Sequence, residues 1–197
     1  MNKKKVNAVR VIFLDIDGVL NTIRAHKKTE QEHAERVSLP CSLRIRWDAD
    51  CIQNLNELIR ITGAQIVLSS AWRSGYERGK ENKAIRRAEQ LMKEQGVTGK
   101  VIGITYDLSL LNANFNRGDE IKEWLKRHKN LKIKRYIILD DDCDFNKSQL
   151  RHHVKTNYEN GLDWNKAKEA LHLLMANDKH ELPDNNNKPK SWNSSKG

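Results

Sequence analysis

The sequence predicts an α/β fold built on a mostly parallel sheet of about five strands. Short apolar segments rich in Val and Ile alternate with longer segments whose apolar residues recur at helical spacing. Three of the apolar segments end abruptly in acidic or hydroxyl residues. Buried parallel strands end in this way where their carboxyl ends form a ligand site. At 197 residues the chain is long enough for one domain with a sizeable core.

The first half of the chain contributes two predicted strands. Val9–Leu14 is an almost continuous apolar run, typical of a strand that is covered on both faces. Positions 21–47 are polar and lack clear periodicity, which predicts a long loop with one helical turn near 30–36. A helix is predicted over 48–62, with an aspartate at its start and a glycine at its end. The second strand, 64–68, runs directly into two serines.

The second half repeats the alternation of helix and strand, with right-handed crossovers expected between parallel strands. A strand at 136–139 is followed at once by three aspartates, which make the third polar strand end. A glycine ends the helix predicted at 83–95, and acidic residues occupy the first turn of the helix that starts at Arg117. An aspartate caps the last predicted helix, which starts at Asp163. The other predicted elements are helices at 83–95, from Arg117 onward and from Asp163 onward, and strands at 101–105 and 154–156.

The composition of the chain indicates the bounds of its domain, its cellular compartment and the absence of a predicted membrane span. Residues 1–176 are predicted to form the domain, and 177–197, which are polar and rich in Asn and Lys, a disordered tail or a linker. The cysteines are odd in number and lack C-x-x-C spacing, which favours a reducing compartment, the cytoplasm. No apolar run reaches the roughly 20 residues of a membrane span, and no cleaved secretory signal is expected. Export without such a signal and the oligomeric state are left open.

An acidic site is predicted at the carboxyl edge of the sheet. Residues two apart in an extended chain point to the same side, so the carboxylates of Asp15 and Asp17 are expected to share one site. Parallel strands end at the same edge, which brings Ser69 and the acidic run 140–142 to the same crevice. A like-charged pair about 4 Å apart costs about 4 kcal/mol at an effective dielectric constant of about 20, and a bound cation removes this cost. Oxygen ligands favour a hard cation, Mg²⁺ in particular, although 140–142 taken alone also fit a solvated acidic turn.

In this order, these residues resemble the four motifs of the haloacid dehalogenase (HAD) superfamily. The matching residues are DIDGV at 15–19 for the first motif, Ser69 for the second, Arg117 for the third, and YIIL followed by Asp140 and Asp141 for the fourth. A narrower resemblance, to the HAD domain of Swiss Army knife RNA-repair proteins, is carried by IVLSSAWR at 66–73, RGDEIKEWL at 117–125 and VKTNYENGL at 154–162. The likeness extends from Val9 to about Met175. It implies an HAD-like, Rossmannoid three-layer sandwich without a large cap domain.

The resemblance also implies Mg²⁺-dependent hydrolysis of a phosphomonoester. Asp15 becomes the nucleophile that forms an aspartyl-phosphate, and Asp17 the general acid and base of the two half-reactions. The identity of Asp17 is informative, because ATPases of the superfamily carry Thr at this position and dehalogenases lack the acid. The resemblance assigns Mg²⁺ to the Asp15 carboxylate, the backbone carbonyl of Asp17 and Asp141, with Asp140 as a nearby support or ligand.

Two further pairs of residues are assigned to the phosphate of the substrate. Ser69 and Arg117 are expected to stabilise charge on its equatorial oxygens. Ser70 and Arg73 are candidate phosphate contacts, with a structural role for both as the alternative.

The expected substrate class depends on the size of the predicted loops. Neither segment in which the superfamily carries its cap has room for a large one, so the open crevice implies a phosphate carried by a macromolecule. We expect a phosphoprotein, with phosphotyrosine or phosphoserine/threonine, because capless relatives include protein phosphatases. The alternative is a polynucleotide 3′-phosphate in RNA repair, which fits the net charge of +10. A further alternative is a phosphate-binding module without turnover.

Overall fold

A computed structural model describes residues 8–31, 46–73, 80–108 and 114–176. The strands in this part of the chain are β1 (Val9–Leu14), β2 (Gln65–Leu68), β3 (Val101–Ile104), β4 (Ile133–Asp140) and β5 (His153–Lys155). The α-helices are α1 (Ile23–Gln31), α2 (Ala49–Thr62), α3 (Glu81–Glu94), α4 (Arg117–Arg127) and α5 (Trp164–Met175). Short 3₁₀ turns cover Ala71–Arg73 and Leu150–His152.

The strands form one parallel sheet in the order β3-β2-β1-β4-β5. β2 and β3 lie on one side of β1, and β4 and β5 on the other, so the strand order reverses at β1. Ligands of open parallel sheets bind at such a switch point, beyond the carboxyl ends of the strands. β1, β2 and β4 end at the same level, because Leu14 is paired with both Leu68 and Leu139. The predicted α/β class and the five-stranded parallel sheet are confirmed.

Helices cover both faces of the sheet and make a three-layer sandwich. Ile12 and Leu14 of β1 belong to the core shared with α2, α3 and α5, whereas Val11 and Phe13 belong to the core shared with α4. All four side chains are fully buried, as expected for a strand that is covered on both faces. Trp124 of α4 packs edge-on against Phe13, with ring centroids 5.4 Å apart. The central strand is therefore held rigidly at the point where its acidic end begins.

The segment after β1 differs from the predicted loop. α1 covers Ile23–Gln31, inside the segment predicted as a loop; the helical turn predicted near 30–36 overlaps the end of α1, and residues 32–36 lie outside the described ranges. The start of α1 is set by Thr22, whose Oγ1 accepts a hydrogen bond from the N–H of Ala25 at 3.3 Å. The same hydroxyl donates to Asp48 at 2.8 Å, a partner 26 residues away. Sequence periodicity does not reveal a helix start that depends on so distant a contact.

Strand β4 begins at Ile133, earlier than the predicted start at 136. β5 pairs only with the last residues of β4, so among the described residues the first part of β4 has a neighbouring strand on one side alone. This part is incompletely buried and carries Lys134 and Arg135, which interrupt the apolar run by which a strand is predicted from sequence. The boundaries of the other predicted elements agree with the structure or differ by at most two residues.

The described ranges show no large cap. Between β1 and α2 they contain α1 alone, and between β2 and β3 a 3₁₀ turn and α3. None of the described helices is long and apolar enough to cross a membrane. Cys51 is a buried free thiol and Cys143 an exposed one. Cys41 and the tail predicted over 177–197 lie outside the described residues.

Candidate active site

Three carboxylates meet at the carboxyl edge of the sheet. Asp15 follows β1 directly, Asp140 is the last residue of β4, and Asp141 comes next. One carboxylate oxygen of each lies within 4.8 Å of the other two, which is close enough to share a single cation. Asp15 and Asp140 are buried, and Asp141 is half-buried. Asp15, Asp140 and Asp141, which were predicted to converge from distant parts of the sequence, therefore do so, whereas Asp17 and Asp142 are outside this group among the described residues.

A tight turn after β1 brings Asp17 to the same edge. The backbone carbonyl of Ile16 accepts a hydrogen bond from the N–H of Leu20 at 2.8 Å, which folds the chain back on itself. Gly18 has a φ of +68°, and a Cβ at this position would lie 2.3 Å from the carboxyl group of Asp141. Glycine is therefore required for the turn and for the close approach of Asp141.

Burial and mutual repulsion oppose ionisation of this cluster. Burial, assisted by the charge of Asp15, raises the pKa of Asp140 to about 7. Burial also raises the pKa of Asp15, although the guanidinium of Arg117 and a hydrogen bond from Ser70 act in the opposite direction. Each buried carboxylate is thus more costly to ionise than one in water.

Within the described part of the chain, one oxygen of the cluster lacks a hydrogen-bond partner. Oδ1 of Asp140 accepts the N–H of Asp142 at 2.9 Å, but Oδ2 is buried and has no hydrogen-bond partner among the described residues. A buried polar atom without a partner is costly, and a hard cation would supply the missing one. The donor set consists of oxygen alone and comes from three carboxylates. The residues present therefore fit a bound Mg²⁺.

Hydroxyl and guanidinium groups lie beside the nucleophile candidate. Ser69 and Ser70 follow β2 and are buried, and Ser70 hydrogen-bonds to Asp15. Oγ of Ser69 accepts a hydrogen bond from the hydroxyl of Thr105 at 3.4 Å. Arg117, the first residue of α4, donates to the backbone carbonyl of Ser69. The predicted residues Ser69, Ser70 and Arg117 are thus brought together around Asp15.

Arg73 is engaged in a different contact. Its Nη2 donates to both carboxylate oxygens of Glu120, at 2.7 and 2.8 Å, and its Nη1 donates to the carbonyl of Ser70 at 2.9 Å. The side chains of the pair are only 8% and 6% exposed. Arg73 therefore connects the loop after β2 to α4, which favours the structural alternative over direct contact with phosphate.

Three polar contacts of the site were not predicted from the sequence. Asn21 and Trp72 donate hydrogen bonds to the Asp17 carboxylate, and Glu120 holds Arg73. Their only signal in the sequence is proximity to the motifs, since Trp72 lies within IVLSSAWR and Glu120 within RGDEIKEWL. Proximity in sequence does not say which side chain a residue meets across the fold.

An aromatic side chain lies near the acidic turn. The backbone carbonyl of Tyr158 accepts the N–H of Ile23 at 2.9 Å, which joins the loop after β5 to the start of α1. Partial burial, together with the charges of Asp17 and Asp141, raises the pKa of Tyr158. The residue is 37% exposed, and its ring lies beside that of His26, with centroids 5.9 Å apart. An exposed aromatic residue therefore lies beside the segment that follows β1.

A comparison with protein families identifies the family to which the chain belongs. The model of the HAD domain in Swiss Army Knife RNA repair proteins matches residues 11–167, which is most of the chain and includes every residue of the site. The chain belongs to this family. Comparisons with curated proteins and with solved structures found no match. The HAD superfamily consists largely of Mg²⁺-dependent phosphatases and related hydrolases, and the acidic cluster of this HAD domain is of the kind that binds such an ion.

Proposed function

We propose that this HAD domain is a Mg²⁺-dependent phosphomonoesterase that works through an aspartyl-phosphate on Asp15. The observation that carries the proposal is the convergence of Asp15, Asp140 and Asp141 at the switch point of the sheet, with a buried oxygen on Asp140 that has no hydrogen-bond partner among the described residues. Burial and mutual repulsion make this carboxylate cluster energetically costly. The cluster has a clear function if it binds a cation and, through the cation, a phosphate.

The proposed reaction has two displacements at phosphorus. A carboxylate oxygen of Asp15 attacks phosphorus in line, and the bond between phosphorus and the leaving oxygen breaks. Asp17 gives its proton to the departing alkoxide. Asp17 then takes a proton from a water molecule, whose oxygen attacks the phosphorus of the aspartyl-phosphate. Inorganic phosphate leaves, and the carboxylate of Asp15 is restored.

The other residues of the site bind charge. Asp15, Asp140 and Asp141, with the backbone carbonyl of Asp17, would hold Mg²⁺, which when bound neutralises the carboxylates and attracts the phosphate. The hydroxyls of Ser69 and Ser70 and the guanidinium of Arg117 would stabilise the equatorial oxygens of the transferring group. Phosphoryl transfer depends on such positioning more than on special covalent chemistry.

Removal of the metal tests the proposal. The purified protein is expected to hydrolyse 4-nitrophenyl phosphate in Mg²⁺ and to lose at least about 100-fold in kcat/KM in excess EDTA, because the metal supplies several kcal/mol of charge stabilisation. Activity should return when Mg²⁺ exceeds the chelator. Turnover that is equal with and without EDTA would contradict the proposal, and binding of phosphate without turnover would support the non-catalytic alternative.

For the substrate, we infer a polynucleotide end that carries a phosphate. Three observations support this class over a phosphoprotein: the family is described from RNA-repair proteins, the net charge is +10, and Tyr158 offers an exposed ring near the acidic turn. Aromatic side chains bind single-stranded nucleic acid by stacking on its bases, and positive charge attracts the backbone. The expected phosphoprotein substrate rests on the open site alone and stays a prediction.

A comparison of substrates separates the two classes. At physiological salt, kcat/KM for an oligonucleotide with a 3′-phosphate is expected to exceed that for phosphotyrosine and phosphoserine peptides. Tyr158→Ala should lower kcat/KM for the oligonucleotide about tenfold, which corresponds to loss of one base stack. Tyr158→Phe, which keeps the ring, is the matched control and should stay close to wild type. Preference for a phosphopeptide, or equal losses for the Ala and Phe variants, would speak against a polynucleotide bound at this ring.

A further inference from the structure

Both oxygens of the Asp17 carboxylate are held by side chains that the sequence analysis did not assign to the site. Nδ2 of Asn21 donates to Oδ1 at 2.6 Å, and Nε1 of Trp72 donates to Oδ2 at 2.9 Å. Asn21 closes the turn after β1, and Trp72 lies in the 3₁₀ turn after β2. The two donors therefore come from separate segments of the chain.

Asn21 is fixed by its backbone. Its N–H donates to the carbonyl of Ile16 at 2.8 Å, and its own carbonyl accepts the N–H of Gly18 at 2.9 Å. The residue is buried and forms a bridge with Asp17. Its amide group therefore reaches the carboxylate from a single, defined position.

Trp72 is fixed by its neighbours. Its backbone N–H donates to Oγ of Ser70 at 3.3 Å, and its ring packs edge-on against that of Trp47, with centroids 5.7 Å apart. Edge-to-face packing of this kind restrains both the position and the tilt of a ring. The indole N–H is thus directed at Asp17 by packing that does not involve the carboxylate.

Two fixed donors determine the plane of a carboxyl group. A free aspartate side chain rotates about its Cβ–Cγ bond, whereas one bonded at both oxygens does not. Indole and amide N–H groups donate and do not accept at these contacts, so a proton carried by Asp17 lies on a lone pair that both partners leave free. Such a proton is available to a group in the crevice.

We propose that Trp72 and Asn21 are positioning residues that orient the Asp17 carboxyl group for proton transfer to the leaving oxygen. The inference rests on the proposed phosphatase function. In the first displacement, the O–H bond of Asp17 breaks as the new O–H bond to the leaving oxygen forms and the bond from that oxygen to phosphorus breaks. In this first displacement, correct orientation matters only where the leaving group needs the proton.

A comparison of leaving groups tests the inference. Trp72→Phe keeps a ring and removes the N–H. For glycerol 2-phosphate, whose alkoxide needs protonation, kcat/KM is expected to fall about 30-fold, within the range over which general acid catalysis contributes. For 4-nitrophenyl phosphate, whose phenolate leaves unaided, kcat/KM should fall less than about threefold. The kcat for this second ester should nevertheless fall, because hydrolysis of the aspartyl-phosphate still requires Asp17 as base.

Trp164→Phe is the matched control. It makes the same change at the start of α5, where the Nζ of Lys168 lies 5.4 Å from the ring centroid. This variant should retain wild-type kcat/KM for both esters. Asn21→Ala removes the second donor and should show the same dependence on the leaving group as Trp72→Phe. It provides the test if Trp72→Phe fails to fold, as judged by circular dichroism.

The outcomes separate this inference from the function on which it rests. An active wild type whose Trp72→Phe and Asn21→Ala variants lose the same factor on both esters would overturn the positioning role alone. The same holds if Trp164→Phe reproduces the dependence on the leaving group. A wild type with no Mg²⁺-dependent turnover of either ester would overturn the proposed function, and the positioning role with it.

Discussion

Replacement of Asp15 by Asn is expected to lower kcat by a factor of about 10⁴ or more, because the amide cannot form the aspartyl-phosphate. The fold should persist, since Asn has the same shape and its Oδ1 can still accept the N–H of Ile16, a contact of 2.8 Å. Burial, and after it the charge of Asp15, raises the pKa of Asp140, so removal of that charge relieves repulsion in the metal-free cluster. The variant is therefore expected to melt in EDTA at a temperature equal to or above that of wild type.

The covalent intermediate gives a second measurement. Wild type quenched in acid during turnover of a ³²P-labelled substrate should carry label that hydroxylamine releases, and Asp15→Asn should carry none. Asp142→Asn is the matched control, because Asp142 belongs to the same acidic edge, is exposed, and lies outside the group of three carboxylates that can share a cation. It should retain activity within about threefold, as is usual for surface substitutions. Labelled Asp15→Asn, or an equal loss of activity in both variants, would place the nucleophile elsewhere.

The carboxylate cluster was predictable because it depends on a few general rules. Apolar runs identify buried strands, parallel strands end at one edge, and the residues that follow them must meet there. The structure follows this rule, because Leu14 at the end of β1 is paired with both Leu68 of β2 and Leu139 of β4. The position of Asp15 beside Asp140 thus follows from the order of strands and needs no knowledge of side-chain packing.

The partners of the site residues were not predictable in this way. Trp72 reaches Asp17 from 55 residues along the chain, and Glu120 reaches Arg73 from 47. Such contacts depend on the tilt and register of whole elements, to which local patterns are insensitive. The assignment of Arg73 to the phosphate illustrates this difficulty. The sequence shows that the guanidinium lies next to a motif, but only the packing of α4 shows which group it contacts.

The buried pair of Arg73 and Glu120 should dominate the stability of the site. Burial raises the pKa of Glu120 and lowers that of Arg73, while each charge acts on its partner in the opposite direction. Each ion is therefore tolerated only because the other is present. Glu120→Gln removes one charge and leaves the buried guanidinium of Arg73 without its charged partner. This loss is expected to lower the free energy of unfolding by about 3–5 kcal/mol, as measured by urea titration.

Glu123→Gln on the same helix provides the comparison for this loss. Glu123 pairs with Arg127 at 2.6 Å, but the side chains of this second pair are 25% and 44% exposed. Its loss should cost less than about 1 kcal/mol, because water replaces much of the interaction. The double variant Arg73→Met with Glu120→Leu should recover most of the stability lost by Glu120→Gln, since no charge is then left buried. Equal destabilisation by Glu120→Gln and Glu123→Gln would mean that burial of the Arg73 pair carries no special cost.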